Sequence, residues 1–227
     1  MKRFVLIIFA AIIISVTGRA QEAYRIHSDF LFKSKGLDSM YRVTKGEVYF
    51  DKNIKTLVFK NTFPKRETYV IKDTFLYVYH GDTLMETRRN VIPPEHTMFS
   101  YLLSSTFANY GLDNAGFEIK NVERKKGVVV TSWLPNGIIG KYVGKILVAN
   151  KDKRLYSVVI YDKDMKILSR QIFKKYQSID GTEIPSEILS VTYYNDSSQY
   201  MQITNLADIK LNETTNEDMY NFKIPAQ

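Results

Sequence analysis

The stretch GEVYFDKNIKTLVFKNTFPKRETYVIKDTFLYVYH, residues 46–80, decides the fold class. Apolar and aromatic side chains alternate along it with a period of two, and turn-forming groups such as Asp51-Lys52-Asn53 and Pro64-Lys65 interrupt the alternation. The alternation is clearest over residues 75–80, where the two faces of a strand receive Phe75, Tyr77 and Tyr79, and Leu76 and Val78. Short strands joined by tight turns are typical of an antiparallel meander.

The same pattern continues over most of the chain. Gly46 is expected at a bulge or bend, because glycine inside a strand marks a close approach of backbones. No linker, repeat or change of composition divides residues 21–227, which predicts a single domain. Near the C-terminus, residues 216–225 are expected to pack Met219 and Phe222 on the sheet. In chain order, the predicted strands cover residues 30–32, 39–51, 54–61, 67–72, 74–80, 83–87, 117–124, 128–133, 141–150, 155–161, 166–176, 184–194 and 199–211.

One segment, residues 94–110, has helical rather than strand periodicity. Pro94 suits a first helical turn and Gly111 suits a helix stop, so the spacing predicts one amphipathic helix, about 25 Å long at 1.5 Å per residue. Its apolar stripe consists of Met98, Phe99, Leu102, Leu103 and Phe107. The predicted fold is therefore mainly β: a single curved antiparallel sheet forming an unclosed β-barrel, with the helix as its lid or plug.

Composition and motifs exclude several kinds of protein. Hydrophobic residues make up 44% of the chain, too many for intrinsic disorder, and the absence of cysteine removes disulfide scaffolds and thiolate sites. His27, His80 and His96 form no pair with ligand spacing and are expected at surface or strand-end positions. No nucleophile elbow, phosphate loop or dinucleotide fingerprint is present in the sequence. We therefore expect a protein that is not an enzyme and needs no metal or other cofactor.

The first 20 residues resemble a signal peptide. Lys2 and Arg3 precede an apolar run of about 13 residues, which is too short to span a bilayer, and Gly18 and Ala20 fit a cleavage site. Cleavage near Ala20 would leave 29 Lys and Arg against 24 Asp and Glu, a net charge of +5. The protein is therefore expected in the periplasm, where nucleic acid is not a partner and anionic lipid surfaces are the natural counterpart.

Residues 46–79 resemble the periplasmic outer-membrane lipoprotein carrier superfamily, which includes LolA, LolB and RseB. Val48 and Phe50 match the family's first strand, Asp73 its hairpin, and Leu76-Tyr77-Val78-Tyr79 its aromatic strand. Segments of the C-terminal half are similar to the lipoprotein-sorting branch of the same superfamily. These segments are Tyr161-Asp162-Lys163-Asp164, Ile179-Asp180-Gly181-Thr182-Glu183-Ile184-Pro185 and residues 216–225.

The resemblance implies a monomeric carrier that holds lipoprotein acyl chains or another lipid in an apolar cavity and moves them between membrane-associated donors and acceptors. The family's Arg-Pro latch falls at Lys52-Asn53, and a lysine lacks the planar fork of an arginine. Two other functions remain open: a sensor or interaction module that binds a protein partner, and a hydrolase with a convergent site. The helix could also be a permanent core plug. The predicted cavity lining is Val48, Phe50, Leu57, Phe59, Leu76, Val78, Phe99, Leu102, Leu103 and Phe107.

Overall fold

The computed structural model describes residues 23–224 except 91, 105, 142, 195 and 196. The predicted signal peptide lies outside the described residues. Thirteen strands form one antiparallel sheet, in the order β6-β5-β4-β3-β2-β1-β13-β12-β11-β10-β9-β8-β7. The strands are β1 (Arg25–Lys35), β2 (Tyr41–Asp51), β3 (Thr56–Phe63), β4 (Thr68–Lys72), β5 (Phe75–His80), β6 (Thr83–Arg89), β7 (Phe117–Lys125), β8 (Val128–Pro135), β9 (Ile146–Lys151), β10 (Arg154–Tyr161), β11 (Ile167–Ile179), β12 (Thr182–Tyr193) and β13 (Gln199–Leu211).

Two meanders make up this sheet, β1–β6 and β7–β13. The pairing of β1 with β13 joins them, with Ile26 opposite Leu211 at one end and Lys35 opposite Met201 at the other. Strands β6 and β7 are the two edges, and no ladder of hydrogen bonds connects them within the described part of the chain. The sheet is thus curved but unclosed, which confirms the predicted fold class.

Bulges bend the strands at defined points. The register of β2 against β3 shifts at Gly46, where a Cβ atom would lie 2.1 Å from the carbonyl oxygen of Lys60. Only glycine permits so close an approach, as the sequence predicted. A second bulge in β13 centres on Asp208, whose φ is +48°. Because of the bulge, Leu206 and Ile209 face the same side of the sheet although they are three residues apart, and both belong to one apolar cluster.

The predicted helix over residues 94–110 is wrong as a continuous element. The segment, here called the lid (residues 94–114), contains α1 (Met98–Leu102) and the 3₁₀ turns Pro94–His96, Phe107–Asn109 and Leu112–Asn114. The Oγ of Ser104 lies 2.8 Å from Oγ1 of Thr106 and also accepts the Thr106 backbone N–H at 3.2 Å. Such local side-chain bonds compete with the helical backbone pattern, so the helix ends after Leu102.

Two strand boundaries differ clearly from the prediction. The first strand is Arg25–Lys35, much longer than the predicted residues 30–32, because β13 and β2 pair along its whole length. The predicted strand 141–150 begins only at Ile146, since Gly137–Lys141 is a 3₁₀ turn. At Gly144 the backbone passes so close to Asp162 that a Cβ atom would lie 2.0 Å from the Asp162 carbonyl oxygen.

The convex face of β2–β5 carries its own cover, here called the tail (residues 213–224), which includes α2 (Glu217–Tyr220). Tyr220 is 1% exposed and packs with Tyr49, Val58, Val70 and Tyr79, while Met219 and Phe222 lie beside them. The predicted packing of Met219 and Phe222 on the sheet is confirmed.

Arg25 fastens the tail to the sheet. Its Nε donates to Oδ2 of Asp51 at 2.5 Å, and its terminal nitrogens donate to both carboxylate oxygens of Glu217 at 2.5 and 3.2 Å. The guanidinium also lies 4.6 Å from the centre of the Tyr220 ring. The hydrogen bonds to Glu217 raise the pKa of Arg25 and lower that of Glu217.

Among the described residues, no helix has the length and hydropathy to cross a membrane.

Candidate functional site

The concave face of the sheet carries two apolar clusters beneath the lid. Alternation places every second residue of each strand on this face, and the sheet's curvature brings distant strands toward one another. The first cluster includes Ile26, Phe30, Val48, Phe50, Leu57, Ile184, Leu206, Ile209 and Leu211. The second includes Phe117, Trp133, Ile146, Val148, Leu155, Val158, Phe173 and Ile188.

The lid covers both clusters with apolar side chains. Phe99, Leu102 and Leu103 are 3%, 1% and 2% exposed and belong to the first cluster, where the ring of Phe99 lies 5.8 Å from that of Phe59. Met98 and Phe107 contact both clusters, and the ring of Phe107 meets that of Phe173 edge-on at 5.5 Å. The lid therefore covers the concave face with an apolar surface, and an acyl chain would offer the sheet the same kind of contact.

The structure brings most of the predicted lining residues together. Eight of the ten belong to the first cluster or pack against it: Val48, Phe50, Leu57, Phe59, Phe99, Leu102, Leu103 and Phe107. Leu76 and Val78 lie farther out, toward the β6 edge. Through the register of β3, β4 and β5, Leu76 shares a face with Leu57, and Val78 shares one with Phe59. Neither Leu76 nor Val78 belongs to a cluster, since the lid lies over strands nearer the middle of the sheet.

Sequence reasoning missed the second half of the concave face. Strands β8–β11 also carry apolar residues on this face, and Val158 and Phe173 are 0% and 3% exposed. Their pattern was visible, but only the joining of β1 to β13 makes the two meanders share one concavity. We therefore add Leu155, Val158 and Phe173 to the candidate lining.

A cavity of about 400 Å³ opens at the edge of the lid. Leu102 and Phe107 of the lid form one side, and Leu155 and Tyr176 of the sheet form another. An ion pair between Arg154 and Glu183, with 2.8 Å between Nη2 and Oε2, stands at its rim. The volume is at the small end of the range for ligand pockets, so a large apolar ligand would have to displace part of the lid.

Few polar contacts fasten the described residues of the lid. Nζ of Lys55 lies 3.8 Å from Oε1 of Glu95 at the first turn, and both side chains are exposed. At the other end, the buried hydroxyl of Tyr110 donates to Oε1 of Gln171 at 2.9 Å. Burial raises the pKa of Tyr110 to about 12, so the hydroxyl stays protonated.

The predicted latch position, Lys52, lies in the turn between β2 and β3. Its backbone N–H donates to the carbonyl oxygen of Tyr24 at 2.8 Å, and a latching role for its side chain stays a prediction. An ion pair from this same turn to the lid comes from Lys55, which sequence reasoning did not single out. Lys55 has a positive φ of 55°, and no local pattern pointed to Glu95 as its partner.

Comparison with solved structures identifies the class of fold. A LolA superfamily protein from Nitrosomonas europaea aligns with a TM-score of 0.58 and 12% identity, covering 87% of this chain and 90% of that one. An outer membrane lipoprotein-sorting protein domain from Vibrio parahaemolyticus aligns with a TM-score of 0.57 and 12% identity, with the same coverage. A DUF1329 family protein from Desulfovibrio piger gives 0.58 and 11%, covering 88% and 90%.

These similarities confirm the resemblance inferred from the sequence at the level of the fold. The chain has a LolA-like fold with low sequence identity to its structural neighbours, as a divergent relative would have. No protein-family model and no curated protein matches the sequence.

Proposed function

We propose that the protein is a periplasmic, non-enzymatic carrier that binds lipoprotein acyl chains or another lipid on its concave face. The observation that carries this proposal is the lid. Its buried side chains Phe99, Leu102 and Leu103 cover an apolar concavity that opens to solvent at the lid's edge. The lipoprotein-sorting domain among the structural neighbours supports the same class of function.

The proposed mechanism is exchange of one apolar surface for another. A long acyl chain that enters beside Leu102 and Phe107 takes over their contacts with the sheet, and the lid moves outward. Burial of the acyl chain contributes roughly 0.8 kcal/mol per CH₂, or about 10 kcal/mol for a long chain before ordering costs. Exposure of the lid's side chains, at about 1.5–3 kcal/mol each, offsets much of this gain. The net affinity is then moderate, which allows an acceptor with a better apolar site to remove the cargo.

Titration with an apolar probe tests the proposal. We expect a fluorescent fatty-acid analogue to bind with one-site saturation and to be displaced by a diacyl lipid or lipopeptide. Phe173→Leu, on the sheet beneath Phe107, keeps an apolar side chain but removes the ring, and it should weaken binding if the second cluster lines the site. The control is Val122→Ala on strand β7, since Val122 is 51% exposed and in neither concave cluster. A folded protein with no saturable binding would contradict the carrier function.

The same fold also suits a sensor or interaction module that binds a protein partner. Mass spectrometry of lipid extracted from the purified protein distinguishes the two functions. Stoichiometric co-purified lipid is expected for the carrier, whereas a module that binds a protein through its outer surface would carry none.

A further inference from the structure

The convex face holds a cluster of metal-ligating groups that the carrier function does not use. A ring nitrogen of His27 and carboxylate oxygens of Asp29 and Glu47 lie within 4.8 Å of one another. His27 and Asp29 point to the same face because they are two residues apart on β1. Glu47 joins them because it lies directly opposite Asp29 in the pairing of β1 with β2.

His27 is the least expected member of this cluster. The sequence predicts a position at the surface or a strand end; His27 is the third residue of β1 and only 8% exposed, so it is near the strand's end but is not a surface residue. Its ring stacks on that of Tyr49, with 4.3 Å between centroids and 8° between planes, because the two residues are opposite each other on β1 and β2. The ring nitrogen Nε2 makes no hydrogen bond to any described residue, although it is shielded from solvent.

Surrounding groups hold the imidazole ring in place. Nδ1 lies 3.0 Å from Oε1 of Glu213 at the start of the tail. A carboxylate beside one ring nitrogen is the usual outer partner of a metal-bound histidine, since it orients the ring and raises its basicity. With Nδ1 beside Glu213, Nε2 is the ring nitrogen that has no hydrogen-bond partner among the described residues, so it is the one available to an ion. Buried polar atoms without partners are rare in folded proteins, and an ion would satisfy this one.

We propose that His27, Asp29 and Glu47 bind a divalent transition-metal ion, with Zn²⁺ as the representative case. One imidazole and two carboxylates form a mixed donor set that suits first-row metals better than Ca²⁺, which prefers oxygen ligands alone. The site borders a groove of about 690 Å³ lined by Asp29, Glu47, Lys60 and Asn205, so solvent and ions reach it.

Glu47 has the contacts expected of an oriented ligand. The hydroxyl of Tyr49 donates to its Oε2 at 3.1 Å, and Nζ of Lys60 lies 3.8 Å from the same oxygen. Both contacts fall on Oε2, which leaves Oε1 for the ion. The bound ion would connect β1 to β2 next to the point where the tail meets the sheet.

Isothermal titration of the purified, metal-stripped protein with Zn²⁺, and separately with Ca²⁺, tests the proposal. We expect one equivalent of Zn²⁺ to bind and to raise the melting temperature, with much weaker binding of Ca²⁺. Asp29→Asn and Glu47→Gln should each weaken Zn²⁺ affinity by about 10-fold or more. Both side chains are at least partly exposed, so neither variant should impair folding.

Glu67→Gln is the matched control. Tyr69 donates to Oε2 of Glu67 at 2.7 Å, just as Tyr49 does to Glu47, and Glu67 is not among the grouped ligand residues. This variant should bind Zn²⁺ as tightly as the unaltered protein. The proposal is overturned if stoichiometric Zn²⁺ does not bind, or if the ligand variants bind it as well as Glu67→Gln does.

Discussion

The lid and the tail cover opposite faces of the same sheet, and they are fastened in opposite ways. The tail is held by the bidentate contact of Glu217 with Arg25 and by the burial of Tyr220, and the sheet residue Asp51 fixes the Arg25 side chain in a buried ion pair. The lid's side chains pack mainly through apolar contact with the concave clusters, with one exposed ion pair from Glu95 to Lys55 and one hydrogen bond from Tyr110 to Gln171.

This difference indicates whether the lid or the tail can move. Hydrogen bonds and buried charges have defined partners, so releasing the tail leaves unsatisfied groups behind. Apolar contact has no specific partner, so an acyl chain can take the place of Leu102 without such a penalty. We therefore interpret the tail as a fixed part of the fold and the lid as an exchangeable cover.

The largest expected effect comes from breaking the fastening of the tail. Arg25→Met leaves Asp51, which is 1% exposed, without its charge partner. The free energy of unfolding should fall by about 3–5 kcal/mol, since removing one partner of a buried ion pair leaves an uncompensated charge. Urea unfolding monitored by circular dichroism measures this change.

Arg42→Met is the control for that experiment. It breaks the ion pair of Arg42 with Asp38, in which both side chains are about half exposed. Such exposed pairs contribute about 0–1 kcal/mol. Equal effects of the two variants would show that the tail is not specifically anchored by Arg25.

The second prediction tests whether the lid moves. Leu102→Asp puts a carboxylate into the apolar contact beneath the lid, where Leu102 is 1% exposed. A movable lid swings into water, so the sheet stays folded and a fluorescent apolar probe enters faster. Stopped-flow probe binding and urea unfolding together measure both effects.

Leu57→Asp supplies the comparison, because Leu57 is equally buried in the same cluster but belongs to the sheet. A strand cannot swing out, so this variant should lose several kcal/mol of stability. If Leu102→Asp unfolds the protein as Leu57→Asp does, the lid is a permanent plug.

A third, smaller effect concerns pH and the tail. Arg25 lowers the pKa of Glu217 below its ordinary value of 4.5 in the folded protein. A depressed folded-state pKa stabilises the protein above the unfolded pKa, and this stability is lost as the pH falls through the folded-state value. Glu217→Gln should therefore lower stability at neutral pH and flatten its decline in acid. Urea midpoints measured from about pH 7 to about pH 3 check this, with Asp218→Asn as the neighbouring control.

The smallest effect is expected at the lid's ion pair. Lys55→Gln removes the 3.8 Å contact with Glu95, in which both side chains are exposed. Stability should change by less than about 1 kcal/mol, and probe entry should become only slightly faster. Lys120→Gln, which breaks the exposed pair with Glu118 on β7, controls for the lost charge. A loss comparable to that of Arg25→Met would mean that the lid, like the tail, is fastened by charge.

Most of the strands and the first half of the concave face follow from the sequence alone. Period-two alternation is a local property, so residues 39–80 predicted β2–β5 nearly to their ends, and eight of the predicted lining residues lie in or against one cluster. The spacing of Met98, Phe99 and Leu102 also predicted an apolar cover. The spacing did not predict that the helix ends after Leu102. The hydrogen bonds between Ser104 and Thr106 and the helical hydrogen bonds that they replace differ little in free energy.

The contacts between segments that are far apart in the chain became known only from the tertiary structure. Strand β1 pairs with β13, about 180 residues away, and this pairing turns two meanders into one concavity. The same long-range pairing brings His27 close to Glu213, while the pairing of β1 with β2 places Glu47 opposite Asp29. None of these contacts leaves a mark in local periodicity, because each depends on strand register and on a chain reversal between the partners.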